Sequence, residues 1–395
     1  MSAAPPDGRG APLPSPSPAA LAHGARVIEH VAGVIARAGG WISFADYMGE
    51  VLYAPGLGYY AAGAQKFGAA GDFVTAPEST SLFGRALASQ LAQVQREVPA
   101  GEILELGPGS GRLAADLLIT LADRGAAPAR YRLLEVSADL RERQRELLAS
   151  TVSGLLPRVE WIDALPGRWQ GAIVANEVLD AVPPHLVHRR RDAWFERGVG
   201  LDPGGRFALV DRPLAAGLLR DAALARFPAE GDYLSEINPA AEALVLTLAQ
   251  RCERGVMLII DYGFPAPEYY HPQRSSGTLI AHYRHHALAD PLVLPGLADL
   301  AAHVDFTAIA HAGVAGGMRV AGYATQARFL INCGLLDELQ RCGDPRSTRY
   351  LREASAVQKL TSPAEMGELF KVLAFARGFE PELVGFREGD RSHRL

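Results

Sequence analysis

Short apolar runs recur along the chain and alternate with stretches whose apolar residues return every third or fourth position. Ile103 to Leu106, Tyr131 to Val136, Val159 to Ile162, Gly171 to Ala175 and Val256 to Ile260 read as buried strands, and Phe306 to Ala310 and Phe370 to Ala376 extend the series. Helical spacing follows the first run through Leu113, Leu117, Leu118 and Leu121, with a charged helix from Ala138 to Leu148 and a further one from Leu244 to Gln250. The pattern also predicts a helix from Gly296 to Val304 and helical material from Thr325 to about Leu360. Strands bounded by helices in this way make a doubly wound α/β sheet, here of seven strands.

The pattern divides the chain further. Residues 1–20 are rich in Pro, Ala, Gly and Ser and read as a disordered tail. Residues 21–100 form a helical segment: Val27, Ile28, Val31 and Ile35 repeat helically before Gly39 and Gly40, Ser43 caps a second helix, and a third runs from Leu82 to Val94. Between them, Tyr53 to Tyr60 is dense in turn formers and aromatics, and Phe67 to Glu78 is a polar loop carrying Asp72, Thr75 and Glu78. Residues 101–390 hold the sheet, interrupted by a hairpin at about 186–211, a loop at 265–295 and the helices at 325–360.

Candidate chemistry begins after the first strand, where Gly107, Gly109 and Gly111 alternate in a turn that opens a helix. Such a turn lets the backbone bend sharply under a nucleotide-like ligand. A dinucleotide fingerprint would need glycine where Arg112 stands, and Glu105, two residues ahead of the turn, would repel a pyrophosphate. A cationic ligand suits both features, and S-adenosylmethionine, with its sulfonium and ammonium, is one. Glu135 ends the second strand beside Val136, where a carboxylate accepts two hydrogen bonds from a ribose diol. Asp163, after the third strand, is placed either to receive an adenine amino group or to cap a turn.

The fourth strand delivers Asn176, Glu177 and Asp180, and the fifth delivers Asp261 and Tyr262. These strand ends fall along one edge, which is where ligands bind in open α/β sheets. Methyl transfer from a sulfonium is an in-line displacement, so a protein chiefly aligns donor and acceptor and manages a proton. Glu177 and Asp180 lie close enough to hold a guanidinium together and to take up the released proton; Asp180 as a helix cap is the alternative. Tyr262 and Tyr283 are candidates for the acceptor wall, with core packing the competing role, and Tyr53, Tyr59 and Tyr60 read as packing.

Composition narrows the classes. The 395 residues are 48% hydrophobic and 21% charged, with a formal net charge of −5. That is an ordinary globular balance, and it argues against a nucleic-acid binder relying on a basic surface. Cys252, Cys333 and Cys342 lack metal or redox spacing and read as reduced thiols. His282, His285 and His286 have no acidic partners at ligand spacing, so no metal is expected. No run reaches membrane-spanning length, and the first twenty residues make a poor mitochondrial presequence. A bacterial cytoplasm is therefore expected, with a mitochondrial matrix as the alternative.

Several of these segments together resemble one family. Ser43 to Met48, Gly71 to Glu78 with Phe83 and Gly84, Leu104 to Gly111, Asn176 to Asp180, Tyr269 to Thr278, His282 to His285, Asp290 with Pro291, Pro295 with Gly296, and Ala302 to Phe306 match the MidA family in order. That family comprises class I, Rossmann-like methyltransferases of bacteria and mitochondria and includes complex I assembly factor 7. The resemblance covers roughly residues 25–380. It implies S-adenosylmethionine as cofactor, bound by Gly107, Gly109, Gly111 and Glu135 and covered by Asp72 to Glu78, and it directs attention to Asn176, Glu177 and Asp180. It further implies a protein substrate, since the mitochondrial member dimethylates an arginine of the 49 kDa-type quinone-module subunit of complex I. Val178 and Leu179 depart from a more aromatic family segment, which bears on the acceptor pocket. A small-molecule methyltransferase and a catalytically silent assembly module are the alternatives, with a nicotinamide dehydrogenase a weaker one; a homodimer is left open.

Overall fold

The computed structural model describes residues 13–61 and 75–395. Among these, the main sheet follows one path: β3 (Val159–Ile162), β2 (Tyr131–Leu134), β1 (Glu102–Leu106), β4 (Trp169–Asn176), β5 (Cys252–Phe264), β7 (Phe370–Arg377) and β6 (Arg319–Thr325). A short strand, Val304–Asp305, pairs with the end of β5 off this path. β1 to β5 are parallel, whereas β7 runs antiparallel to both of its neighbours.

Successive side chains of a strand point to opposite faces, and both faces of this sheet are covered. Ile103, Val174, Val256, Leu258, Val372 and Ala374 therefore join one core, with helices Ser81–Glu97 and Arg112–Asp123. Their strand neighbours Leu104, Ile173, Met257, Ile259, Leu373 and Phe375 join the opposite core, with helices Pro239–Gln250 and Phe306–Ala315. Burial on both sides is why these strands read as unbroken apolar runs rather than alternating ones.

Three predicted elements differ. Phe306 to Ala310 is the start of a helix, not a strand: the Asp305 carboxylate accepts the Thr307 and Ala308 N–H groups, and Phe306, Ile309, Ala310 and Gly313 are buried at helical spacing. Gly296 to Val304 is not a helix, because Asp299–Ala301 pairs with Ile280–Tyr283 and Val304 pairs with Gly263. The sheet's sixth strand is instead Arg319–Thr325, held only on its β7 side, a partner far along the chain.

The insertions are larger than a hairpin and a loop. Trp41–Ser43, His185–Arg190, Ala193–Leu201, Phe207–Pro213 and Tyr233–Ile237 form an antiparallel five-stranded sheet. Ile280–Tyr283, His286–Leu288 and Asp299–Ala301 form a three-stranded one. Helices Pro18–Arg37 and Phe44–Tyr53 pack against both through Val27, Val31, Tyr47, Val51, Leu186, Val199 and Leu300. The N-terminal segment and the later insertions thus share one core, which stands over the carboxyl end of the main sheet.

Candidate active site

A cavity of about 630 Å³ opens at the carboxyl ends of the parallel strands, between β1 and β4, where the strand order reverses. Its volume lies within the range of small-molecule and cofactor sites. Glu78, Glu105, Glu135, Glu177, Asp180 and Asp299 stand on its wall, and no described lysine or arginine does. A wall of that sign favours cationic ligands.

The glycine turn forms one end. Gly107 and Gly109 line the cavity with φ of 57° and 54°, a left-handed backbone that glycine adopts freely and that leaves no side chain between it and a ligand. Gly111 has a different place: it precedes helix Arg112–Asp123, and a Cβ there would come within 3.1 Å of Gln144. Glu78, expected in a loop, lies in the short helix Ala76–Ser79; Ser110 Oγ donates to it, tying that helix to the turn, and Thr75 lines the same wall. Asp72 lies outside the described residues.

Glu105 is 2% exposed, and burial pushes its carboxyl up to about 7 despite the hydroxyl of Tyr131 donating to it at 2.6 Å. Glu135 is also buried; its carboxylate accepts the Ser137 N–H at 2.8 Å and Gln144 Nε2 at 3.2 Å. A carboxylate has about four acceptor positions, so capacity remains for a ribose diol. Val136, 71% exposed, continues the wall beside it. Asp163 is exposed beyond β3 and does not line the cavity.

At the other end, Glu177 has a φ of 53°, an uncommon backbone for a glutamate. Asn176 Nδ2 donates to Glu177 Oε1 at 3.2 Å. Burial, with the neighbouring charge of Asp180, pushes the Glu177 carboxyl up to about 8. Burial also raises Asp180, while the Tyr262 hydroxyl, donating to its Oδ2 at 2.6 Å, opposes that rise. Asn176 Oδ1 and Asp180 Oδ1 are buried acceptors without a partner among the described residues. Such atoms are costly unless a ligand satisfies them, and both fit a donor-rich cation.

Asp261 and Tyr283 do not line the cavity. Fully buried beneath it, Asp261 accepts the Val178, Leu179 and Asp180 N–H groups at 3.2, 2.9 and 3.3 Å and that of Tyr262 at 2.9 Å. It shapes the turn that presents Glu177 and Asp180. Burial and the charges of those two acids raise its pKa, and the backbone donors oppose them. Tyr283 packs into the core under the N-terminal helices. In their place the structure brings in Tyr53, Tyr60, Asp299 and His303. Burial lowers His303 to about 3, so it faces the cavity neutral. Tyr53 and Tyr60 share a sequence cluster with Tyr59 that reads as packing, and Asp299 falls in the stretch that reads as helix.

The strand order, the antiparallel β7, the glycine turn and the acidic end of the second strand define a class I S-adenosylmethionine-dependent methyltransferase. A family model described as an S-adenosyl-L-methionine-dependent methyltransferase matches residues 82–324. The chain belongs to that family. A Drosophila melanogaster relative, "Protein arginine methyltransferase NDUFAF7 homolog, mitochondrial", is 32% identical over 370 residues, covering 86% of this chain and 82% of its own. The zebrafish (Danio rerio) "Protein arginine methyltransferase NDUFAF7, mitochondrial" is 31% identical, covering 87% of this chain and 85% of its own. A crystal structure of a Burkholderia thailandensis protein bound to S-adenosyl-homocysteine is 49% identical, with a TM-score of 0.93 over 97% of this chain and all (100%) of that one. S-adenosylmethionine is accordingly the cofactor. Among the described residues no group of His, Cys, Asp and Glu is arranged to hold a metal, and no helix is long and apolar enough to cross a membrane.

Proposed function

We propose that the chain is a protein-arginine N-methyltransferase whose acceptor is a respiratory complex I subunit of the 49 kDa quinone-module type, methylated during assembly. The observation that carries this reading is the pair Glu177 and Asp180, one half-buried and one buried acid at the acceptor end with Tyr262 bonded to the latter. The names of the animal relatives support arginine, and the resemblance to complex I assembly factor 7 supports the partner. We place the activity in a bacterial cytoplasm, with the mitochondrial names of those relatives supporting a matrix location as the alternative.

Bound S-adenosylmethionine supplies an electrophilic methyl group. Gly107, Gly109 and Glu135 hold its nucleoside end, while Asn176 Oδ1 accepts from its ammonium. Glu177 and Asp180 receive the guanidinium edge-on, and paired carboxylates draw its positive charge toward the nitrogens they bind. The remaining nitrogen is thereby freed to attack in line. Both carboxyls are raised by burial, so either accepts the proton that the methylated nitrogen releases.

The test is transfer of radiolabelled methyl from S-adenosylmethionine to the purified quinone-module subunit, followed by mass spectrometry of the labelled residue. Methylarginine formed by the wild type and absent with Glu177→Gln supports the reading. Label confined to small molecules would assign a small-molecule methyltransferase. Binding of the cofactor with no transfer to any acceptor, and assembly preserved in Glu177→Gln cells, would assign a silent assembly factor.

A further inference from the structure

Glu177 is half-buried, and burial is the chief reason its carboxyl is pushed up to about 8. A guanidinium is held by a carboxylate and not by the neutral acid, so whatever favours the charged form of Glu177 strengthens the acceptor end. Asp180 on its own turn and Asp261 from β5 face it with like charge and work against that form. Two donors favour it: the Asn176 amide at 3.2 Å and the backbone N–H of Ala76.

Ala76 is distant from Glu177 in the chain and opens helix Ala76–Ser79. It is fully buried, and a buried N–H needs an acceptor. The helix leaves this one to its surroundings. Pro77 has no N–H, while the Glu78 and Ser79 N–H groups both turn back to the Thr75 carbonyl, at 3.1 and 3.2 Å. Thr75, Pro77 and Glu78 line the cavity together with Glu177, which supplies the acceptor.

A helix of four residues makes too few internal hydrogen bonds to hold itself in place. Its side-chain anchors do so. Glu78 accepts the Ser110 hydroxyl, and Ser110 sits between Gly109 and Gly111 in the cofactor turn. Just past the helix, Thr80 donates to Glu353 Oε2 at 2.5 Å, on helix Thr348–Thr361. The cofactor turn and the acceptor acid are thus connected through Ser110, Glu78 and Ala76.

We propose that Glu78 is a positioning residue: anchored on Ser110, it holds the Ala76 N–H against the Glu177 carboxylate and so couples the cofactor turn to the acceptor acid. The inference rests on the reading of Glu177 given above, and it assigns Glu78 a task separate from touching the cofactor.

Two variants separate anchor from charge. Ser110→Ala removes the anchor and leaves every carboxylate in place, whereas Glu78→Gln removes a charge and keeps a carbonyl that accepts the Ser110 hydroxyl. Titration of Glu177 is followed by its carboxyl carbon resonance in full-length protein saturated with S-adenosyl-homocysteine, the signal being identified by its loss in Glu177→Gln. Affinity for N-acetyl-L-arginine amide is measured in the same samples at pH 7 and pH 9. In Ser110→Ala the midpoint is expected to rise by about one pH unit, weakening arginine about tenfold at pH 7 and only about twofold at pH 9. Glu78→Gln should stay close to wild type, and S-adenosyl-homocysteine affinity should change little in either variant.

An unmoved midpoint in Ser110→Ala would overturn the positioning role. So would a lowered midpoint in Glu78→Gln, the sign expected if Glu78 acted only as a neighbouring negative charge. Loss of S-adenosyl-homocysteine binding in Ser110→Ala would make this pair a cofactor contact and overturn the role as well. A midpoint that rises without arginine affinity following it would support the positioning role and overturn the reading of Glu177 as the acceptor's acid.

Discussion

The Tyr262 hydroxyl donates to Asp180 Oδ2 at 2.6 Å, joining the end of β5 to the turn that follows β4. This bond favours the ionised form of a buried acid whose burial otherwise raises its pKa. In Tyr262→Phe the acid titrates at higher pH, so less of it is charged near neutrality. We expect kcat/KM at pH 7 to fall about tenfold, the scale of one hydrogen bond to a charged group. A pH–rate profile should show the rising limb moved to higher pH, with much of the activity recovered there. An unmoved limb would separate Asp180 from acceptor handling.

Glu177 should show opposite effects on rate and stability. Its carboxyl is raised from an ordinary 4.5 to about 8, so the folded protein binds that proton more tightly than the unfolded chain. The associated stability is complete below the ordinary value and is lost as pH rises through about 8. Without ligand, Glu177→Gln should therefore gain thermal stability relative to wild type as pH is raised from 5 to 9, by a few degrees on the scale expected for about 1–2 kcal/mol. Its kcat should fall roughly a hundredfold or more. Calorimetric melting across pH tests the first expectation and radiolabel transfer the second.

Asp261 acts beneath the site rather than in it. Replacing it with Ala leaves the Val178, Leu179, Asp180 and Tyr262 N–H groups without their carboxylate acceptor. Unsatisfied buried donors cost about 1–3 kcal/mol each in isolation, so Asp261→Ala should unfold at clearly lower urea concentration. Asp261→Asn keeps one carbonyl acceptor and should lie between the two. A variant as stable as wild type would mean that the turn holds its shape without this carboxylate.

Cofactor affinity should depend on backbone space at the glycine turn. Gly107 has a φ of 57°, and a Cβ there would lie 3.3 Å from Val178 Cγ2. Gly107→Val and Gly109→Arg should abolish detectable S-adenosylmethionine binding in calorimetry while leaving the helical circular dichroism intact. Asn176→Ala, which removes one buried acceptor and the donor to Glu177, should weaken binding about tenfold. NADH is expected to give no heat with any of these proteins.

Much of the site was legible along the chain, because a parallel α/β sheet delivers the residues after consecutive strands to one edge. Gly107, Gly109, Glu135, Asn176, Glu177 and Asp180 each follow an apolar run, Glu105 lies near the end of one, and all line the cavity. Asp163 and Asp261 follow such runs too. What separates them is whether the chain turns toward the cavity or away from it, and an apolar run carries no information about that. Asp261 turns inward because four nearby N–H groups need an acceptor; Asp163 runs out into solvent.

The sequence by itself determined the doubly wound class, the cofactor turn and the acid pair, since each depends on residues adjacent in the chain. Tertiary structure decided the rest of the cavity wall. Asp299 meets Tyr60, a residue distant in sequence, only because the N-terminal helices and the three-stranded insertion bury their apolar faces in one core. The same is true of Arg319–Thr325, whose place in the sheet depends on pairing with Phe370–Arg377. Periodicity reports which residues are buried; burial against a distant partner is settled when the segments pack, and there the long-range contacts override local preference.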